Sequence, residues 1–234
     1  MILGKMWQVG SGGSQSMRAD WVNFSCVSLG LVVFALLAWQ VRDNDSRVWE
    51  LDRNLASEAQ VHAQENPEIL SAARDITDAG GVPVMTALAI VGALLLWLCG
   101  QPKLAVFWLV AACLGAVINI GSKSGVDRPR PGESLRDSAV HERNASFPSG
   151  HAMGSTIGYG SLAIVGAVLL RRRWATILLT LLLTLLVVTI CWSRVYLRAH
   201  WCSDVIAGVA IGSAWLALCS MIMGTRGRAN SITC

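Results

Sequence analysis

Six long stretches without a formal charge divide the chain. Asp20 to Arg42 encloses 21 uncharged residues, Asp78 to Lys103 24, and Lys103 to Lys123 19. His151 to Arg171 encloses 19, Arg173 to Arg194 20, and Asp204 to Arg226 21. A helix of about 20 apolar residues crosses the roughly 30 Å hydrocarbon core of a bilayer. The pattern therefore predicts an all-α protein, a six-transmembrane helix bundle with spans at about 21–41, 80–102, 104–122, 152–170, 174–193 and 205–225. These spans take up most of the chain, so one membrane domain over 21–225 is expected, between tails at 1–20 and 226–234. The first tail is Gly- and Ser-rich and is expected to be flexible. The first stretch exceeds the apolar core of about 7–15 residues in a signal peptide, and no A-x-A site follows it. It reads as an uncleaved span.

The segment 42–78 is long for a connection. Asn66-Pro67 has the form of a helix cap followed by proline at the first helical position. Ile69, Ala73 and Ile76 then share one helical face, as do Val48, Leu51 and Leu55 upstream. Two short outer-face amphipathic helices on the bilayer surface fit this pattern, and so do ordinary solvated loop helices.

Composition agrees with the spans. Hydrophobic residues make up 53% of the 234 positions and charged residues 15%, where a soluble domain has about 25% charged. Mean hydropathy is +0.51. Among the seven cysteines, Cys26, Cys99, Cys113, Cys191 and Cys219 lie inside spans, where a thiol acts as a small apolar group. No disulfide framework is implied. Trp21, Trp39, Trp97, Trp174, Trp192 and Trp201 fall near span ends, the depth that amphipathic rings favour.

Six spans bring both termini to one side. That side holds eight basic residues and one acid, and the other holds eleven basic and fourteen acidic residues on about twice as much chain. Basic density and the cluster Arg171-Arg172-Arg173 place the termini in the cytoplasm.

Three polar islands stand at span mouths: KSGVDRPRPGE (123–133), FPSGH (147–151) and SRVYLRAHWCSD (193–204). The first two share a connection and the third lies two spans later, so all three open on the same side. Together they bring cationic Lys123, Arg128, Arg130, Arg194 and Arg198, and the proton-handling His151 and His200. Asp204 follows His200 by four residues, which on a helix is one face. Ser149 can cap the helix after it, leaving N–H groups aimed at an anion. Clustered Arg and Lys suit phosphate. Taken singly, each feature has a plainer explanation: arginine at a membrane edge meets headgroups, and Pro-Ser-Gly is a common turn. The joint spacing has none.

That spacing resembles the type 2 phosphatidic acid phosphatase (PAP2) superfamily of integral membrane lipid phosphatases. Its pattern of Lys, six residues, Arg-Pro is matched by Lys123, Arg130 and Pro131. Pro-Ser-Gly-His is matched by Pro148, Ser149, Gly150 and His151, and Ser-Arg, five residues, His, three residues, Asp by Ser193, Arg194, His200 and Asp204. The resemblance runs from about 70 to 224; the first 66 residues carry no comparable signature. Arg198 stands where Gly is frequent in the third motif, and Cys202 where Pro is frequent.

The resemblance implies roles. His200 would attack phosphorus to form a phosphohistidine, Asp204 would hold the other ring nitrogen, and His151 would be the general acid. Lys123, Arg130, Arg194, Ser149 and Gly150 would bind the phosphate. No cofactor is implied, and the acids near the motifs, Asp127, Glu133 and Asp204, do not form a carboxylate cluster for a metal. The implied partner is a lipid phosphate in the bilayer: undecaprenyl diphosphate, phosphatidylglycerophosphate, phosphatidic acid or lipid A phosphate. No nucleic acid is implied, and oligomeric state has no signal. Asn144-Ala145-Ser146 would accept sugar in a secretory pathway and crowd the site, which favours a bacterial inner membrane with the site facing the periplasm. A lipid-to-lipid phosphotransferase with the same site, an inactive anionic-lipid binder and vanadate-dependent haloperoxidase chemistry are the alternatives; the relatives with the last activity are typically soluble.

Overall fold

The computed structural model describes residues 10–131, 145–170 and 172–224, with side chains from Asp20 onward. Among these, all regular structure is helical: α1 (Gly10–Arg42), α2 (Ser46–Glu65), α3 (Pro67–Asp78), α4 (Val82–Leu98), α5 (Pro102–Gly125), α6 (Gly150–Leu169), α7 (Arg173–Tyr196) and α8 (Cys202–Met223). Six segments are long and apolar enough to cross a membrane, α3 and α4 counting together as one. The six-span, all-helical expectation holds.

Several boundaries differ from those read from charge alone. The second span was expected to reach residue 102, but α4 stops at Leu98 and a turn follows, with Gly100 at φ +72°. The turn residues Cys99, Gly100 and Gln101 are uncharged, so a count of charges could not see them. Pro102 then opens α5 at its first turn, where a missing N–H costs nothing. Helix α5 runs on to Gly125 and carries Lys123 in its last turn. Helix α7 continues three residues past its expected end, to Tyr196, and α8 starts three residues early, at Cys202. Upstream, the backbone of the Gly- and Ser-rich residues from Gly10 onward is helical and continuous with the first span. An apolar span supplies the nucleus, and each further turn then needs only propagation.

Helices α6 and α8 form the centre. About half of each span is buried, 50% and 56%, against 6% for α7. Their contact is close because Gly208 has no side chain: a Cβ there would lie 2.7 Å from the carbonyl oxygen of Ser149. Gly30 does the same for α1 against α8, where a Cβ would meet the carbonyl oxygen of Ala210 at 2.5 Å. Small residues allow such approach between helices in lipid. One apolar cluster joins Phe107 and Ala111 of α5, Met153 and Ile157 of α6, and Ile211 and Leu216 of α8. A second joins α4, α5 and α6 around Trp108.

The two extra helices, α2 and α3, lie in sequence between the first and second spans and pack at the bundle end where α1, α5 and α7 finish and α6 and α8 begin. Asn66 separates them, and its side chain caps the carbonyl of His62 on α2 rather than the start of α3. The face of α2 turned to the protein is not the Leu51–Leu55 face. Leu51 and Leu55 are exposed, and Asp52, Ala56 and Ala63 are buried. Ala63 and Ala73 pack with Tyr196 and Leu197 at the end of α7. There Tyr196 lies with its hydroxyl 2.9 Å from Nδ1 of His62.

Candidate active site

The three polar islands meet at this end of the bundle, each placed by a helix terminus. Pro129 and Pro131 lack the N–H that a continuing α5 would need, so the chain leaves the helix and carries Arg128 and Arg130 across the start of α8. A backbone bond from Ser146 N–H to the Arg128 carbonyl (2.9 Å) ties this segment to the one that enters α6. Ser149 caps α6: its hydroxyl accepts from the Ala152 N–H at 3.4 Å, and its own N–H donates to the Asp204 carbonyl at 3.0 Å. Gly150 is the first residue of α6, packed so that a Cβ would lie 3.2 Å from Oδ1 of Asn119.

His200 does not stand on a helix with Asp204, as four-residue spacing suggested. It lies in the turn between α7 and α8, with its N–H bonded to the Arg194 carbonyl at 3.2 Å. Asp204 is three residues inside α8, and its carboxylate accepts the Trp201 N–H at 3.0 Å. The two side chains still converge, both almost wholly buried. Nδ1 of His200 is 2.9 Å from the Ser146 carbonyl oxygen and 3.6 Å from Oδ2 of Asp204. The nearer acceptor is thus the carbonyl. The Ser146 hydroxyl donates to Oδ2 of the same carboxylate. With acceptors on its Nδ1 side, the ring is assigned as the Nδ1–H tautomer, which leaves a lone pair on Nε2. Nε2 faces Nη1 of Arg130 at 3.3 Å. Arg130 is steadied by the Ala199 carbonyl at 2.8 Å.

The remaining predicted residues are held at the same end of the bundle. Lys123 donates to the Ala145 carbonyl at 3.0 Å, next to Ser146. Arg194 is buried at the end of α7 and donates to Oγ1 of Thr77 on α3 at 3.1 Å. His151 is the second residue of α6, and its ring passes Gly80, where a Cβ would stand 3.6 Å from its Cδ2. Arg198 takes the left-handed conformation, φ +52°, and donates to Gln60 of α2 at 2.6 Å. That backbone explains why glycine is frequent at this position in the family the chain resembles, since left-handed backbone costs other residues about 1–2 kcal/mol.

Four side chains that the motifs did not single out as site residues are built into the group. Arg128, noted only as one cation among five, bonds Asp204, Ser203 and Asp52. Thr77 supports Arg194. Ser146, noticed only inside Asn144-Ala145-Ser146, supports His200 and Asp204; Asn144 itself and Glu133 lie outside the described residues. Asp52 carried one visible signal: Asp52, Ala56, Ala59 and Ala63 form a stripe of small residues at helical spacing, with one acid in it. Among the described residues, no three His, Cys, Asp or Glu side chains form a metal-ligand cluster.

Comparisons with known proteins fit this geometry. A family model described as the PAP2 superfamily matches residues 104–228, which include every motif position named above. A solved structure described as the first transmembrane PAP2 type phosphatidylglycerolphosphate phosphatase, from Bacillus subtilis, superposes with a TM-score of 0.73 at 22% identity. The match covers 85% of this chain and 96% of that one. No curated protein sequence matches the chain significantly.

Proposed function

Because the chain belongs to the PAP2 superfamily, we propose that it is a membrane lipid phosphatase that hydrolyses a phosphomonoester or diphosphate on a lipid headgroup through a phosphohistidine. The observation that supports this reading best is the setting of His200: Nδ1 backed by the Ser146 carbonyl at 2.9 Å, Nε2 facing Nη1 of Arg130 at 3.3 Å. A neutral imidazole held in this way is a nucleophile aimed at whatever anion Arg130 binds.

In the proposed first step, the Nε2 lone pair attacks the terminal phosphorus and its bond to the leaving oxygen breaks, freeing the lipid alcohol from a monoester or the lipid monophosphate from a diphosphate. His151 gives its proton to the departing oxygen. In the second step, His151 takes a proton from water, the water oxygen attacks phosphorus, and the P–N bond breaks to free phosphate and His200. Charge on the equatorial oxygens is met by Lys123, Arg130 and Arg194, with the Ser149 hydroxyl and the Gly150 N–H at the start of α6. Such transfer is mostly positioning and charge stabilisation, and a helix N-terminus with basic side chains supplies both. Asp204 steadies positive charge on the ring during transfer. These donors serve without a metal. The two buried carboxylates of the group are already engaged, Asp204 with Arg128, Ser146 and Trp201, and Asp52 with Arg128 and Ser203.

The proposed setting is a bacterial inner membrane, with both termini cytoplasmic and the site facing the periplasm. Basic Arg172 and Arg173 at the opposite end of the bundle support that orientation. Undecaprenyl diphosphate, phosphatidylglycerophosphate, phosphatidic acid and lipid A phosphate are the substrates to test, each carrying its phosphate at headgroup depth. The test is turnover of ³²P-labelled members of this panel by the purified full-length protein. Release of inorganic phosphate is expected. Label appearing in a second lipid would make it a phosphotransferase, and no turnover of any member would overturn the reading.

A further inference from the structure

Arg128 and Asp52 take no part in the reaction steps above, yet both are almost sealed from solvent, each 3% exposed. Arg128 donates through Nη1 to Oδ1 of Asp204 and, at 2.7 Å, to Oγ of Ser203. Through Nη2 it donates to Oδ2 of Asp52 at 2.7 Å. The guanidinium lies beside two indoles that touch each other, 4.4 Å from the ring centroid of Trp49 and 5.4 Å from that of Trp201. Asp52 also accepts the backbone N–H of Ser203 at 3.0 Å. Trp201, the N-cap of α8, has no side-chain oxygen to offer its helix. Asp52 therefore caps α8 from another helix, α2.

Formal charges make a further point. Arg128 alone would cancel Asp204, and a neutral pair would do little for positive charge growing on His200. Adding Asp52 puts two carboxylates around one guanidinium, so the buried group keeps one net negative formal charge. We propose that Asp52 and Arg128 are positioning residues for the phosphoryl transfer: Arg128 holds Asp204 beside His200, and Asp52 offsets Arg128 so that Asp204 still acts on the ring as an anion. The inference rests on reading His200 as the nucleophile. The elements packed around His200 bring further charged and titratable groups. Arg130 comes from the segment after α5, Lys123 from α5 itself, His151 from α6 and Arg194 from α7. These stay constant across the variants below, whereas Asp52 and Arg128 act on the ring through Asp204.

The test uses the full-length protein in detergent micelles, with the panel lipid that the wild type turns over fastest. It measures kcat, KM and the pH profile of kcat/KM, with thermal unfolding recorded for each variant. Asp52→Asn keeps the shape and leaves the group formally neutral. Its kcat should fall about 10- to 100-fold, the range known for partners that orient metal-ligating histidines, with KM little changed. The acidic limb of its profile should move to lower pH, since one negative charge near the ring is removed. Arg128→Gln leaves two carboxylates unopposed, and its limb should move to higher pH. The double variant restores a single negative charge, and its limb should return toward the wild-type position. If Arg128→Gln fails to fold, Arg128→Lys keeps the formal charge and should hold the limb in place while kcat falls. A role confined to capping α8 would lower thermal stability without these opposed shifts. Limbs that stay fixed or move the same way, or an unchanged kcat in Asp52→Asn, would overturn the proposal. His200→Ala separates the two readings. If it keeps turnover, the nucleophile reading falls and this inference with it. If it is inactive while the limbs do not move, only the inference falls.

Discussion

The carbonyl oxygen of Ser146 lies 2.9 Å from Nδ1 of His200, nearer than the 3.6 Å separating that nitrogen from the carboxylate of Asp204. A backbone carbonyl is thus the group best placed to fix which ring nitrogen carries the proton. Where a carboxylate alone sets the tautomer of a catalytic histidine, replacing it with an amide costs about 10⁴-fold in kcat. Here the carbonyl keeps the tautomer when Asp204 becomes Asn, and only the charge is lost. Asp204→Asn is expected to lose about 10²-fold in kcat. Steady-state assays in micelles measure this, and a loss of about 10⁴-fold would assign tautomer control to the carboxylate.

His200→Ala removes the nitrogen proposed to take the phosphoryl group. Turnover should drop to background, and rapid acid-quench labelling should find no phosphohistidine. Membrane insertion should be unaffected, since His200 lies in a turn outside every span. Near-normal turnover in this variant would give the nucleophile's role to another residue.

His151→Ala should slow substrates in proportion to how poorly their leaving groups depart. Loss of a general acid costs about 10²–10⁴-fold when the leaving oxygen needs a proton. An aryl phosphate, whose leaving group departs without one, should lose far less than an alkyl lipid phosphate. Equal losses on both would count against an acid role.

Gly208→Ala should damage stability and anion binding together. The new methyl would stand 2.7 Å from the Ser149 carbonyl oxygen and 3.1 Å from Cβ of Ala152, so the start of α6 must move off α8. Overpacking of this kind costs about 1–3 kcal/mol. Thermal unfolding should shift down, and inhibition by inorganic phosphate should weaken because Ser149 and Gly150 move. A variant with wild-type stability would mean the helices separate without cost.

Chelation should leave activity in place. The proposed transition state is met by basic side chains and a helix N-terminus, and both carboxylates of the group are already bonded to Arg128. Turnover after dialysis against EDTA should match the untreated protein. A loss restored by Mg²⁺ would require an ion that the proposed chemistry does not use.

Much of this site could be read from the chain because its residues come in short islands at span mouths, where any charge is conspicuous. Parity of crossings then places the islands on one side without further information. The hidden parts fail for physical reasons. Asp52 sits in a polar segment rich in acids, and only its stripe with Ala56, Ala59 and Ala63 marks it as inward-facing. The start of α8 was misplaced because Trp201 is not a residue that signals a cap; the capping group arrives from α2, over a hundred residues away in sequence. The end of α4 was overrun because Cys99, Gly100 and Gln101 are uncharged yet turn. On α2 the expected leucine face stays exposed at Leu51 and Leu55, and what the sequence pattern hid is that the helix packs on the protein by Asp52, Ala56 and Ala63 instead.

Helix α8 is the last helix described, and the turn that enters it carries both His200 and the approach to Asp204. A chain emerging from the ribosome therefore makes Lys123, Arg130 and the supports on α2 and α3 before His200, and Asp204 after it. Until α8 inserts against α1 and α6, the proposed site lacks Asp204 in its seat beside His200. On the proposed reading, hydrolysis of membrane lipid would then wait for the sixth crossing, a safeguard that follows from the order of synthesis.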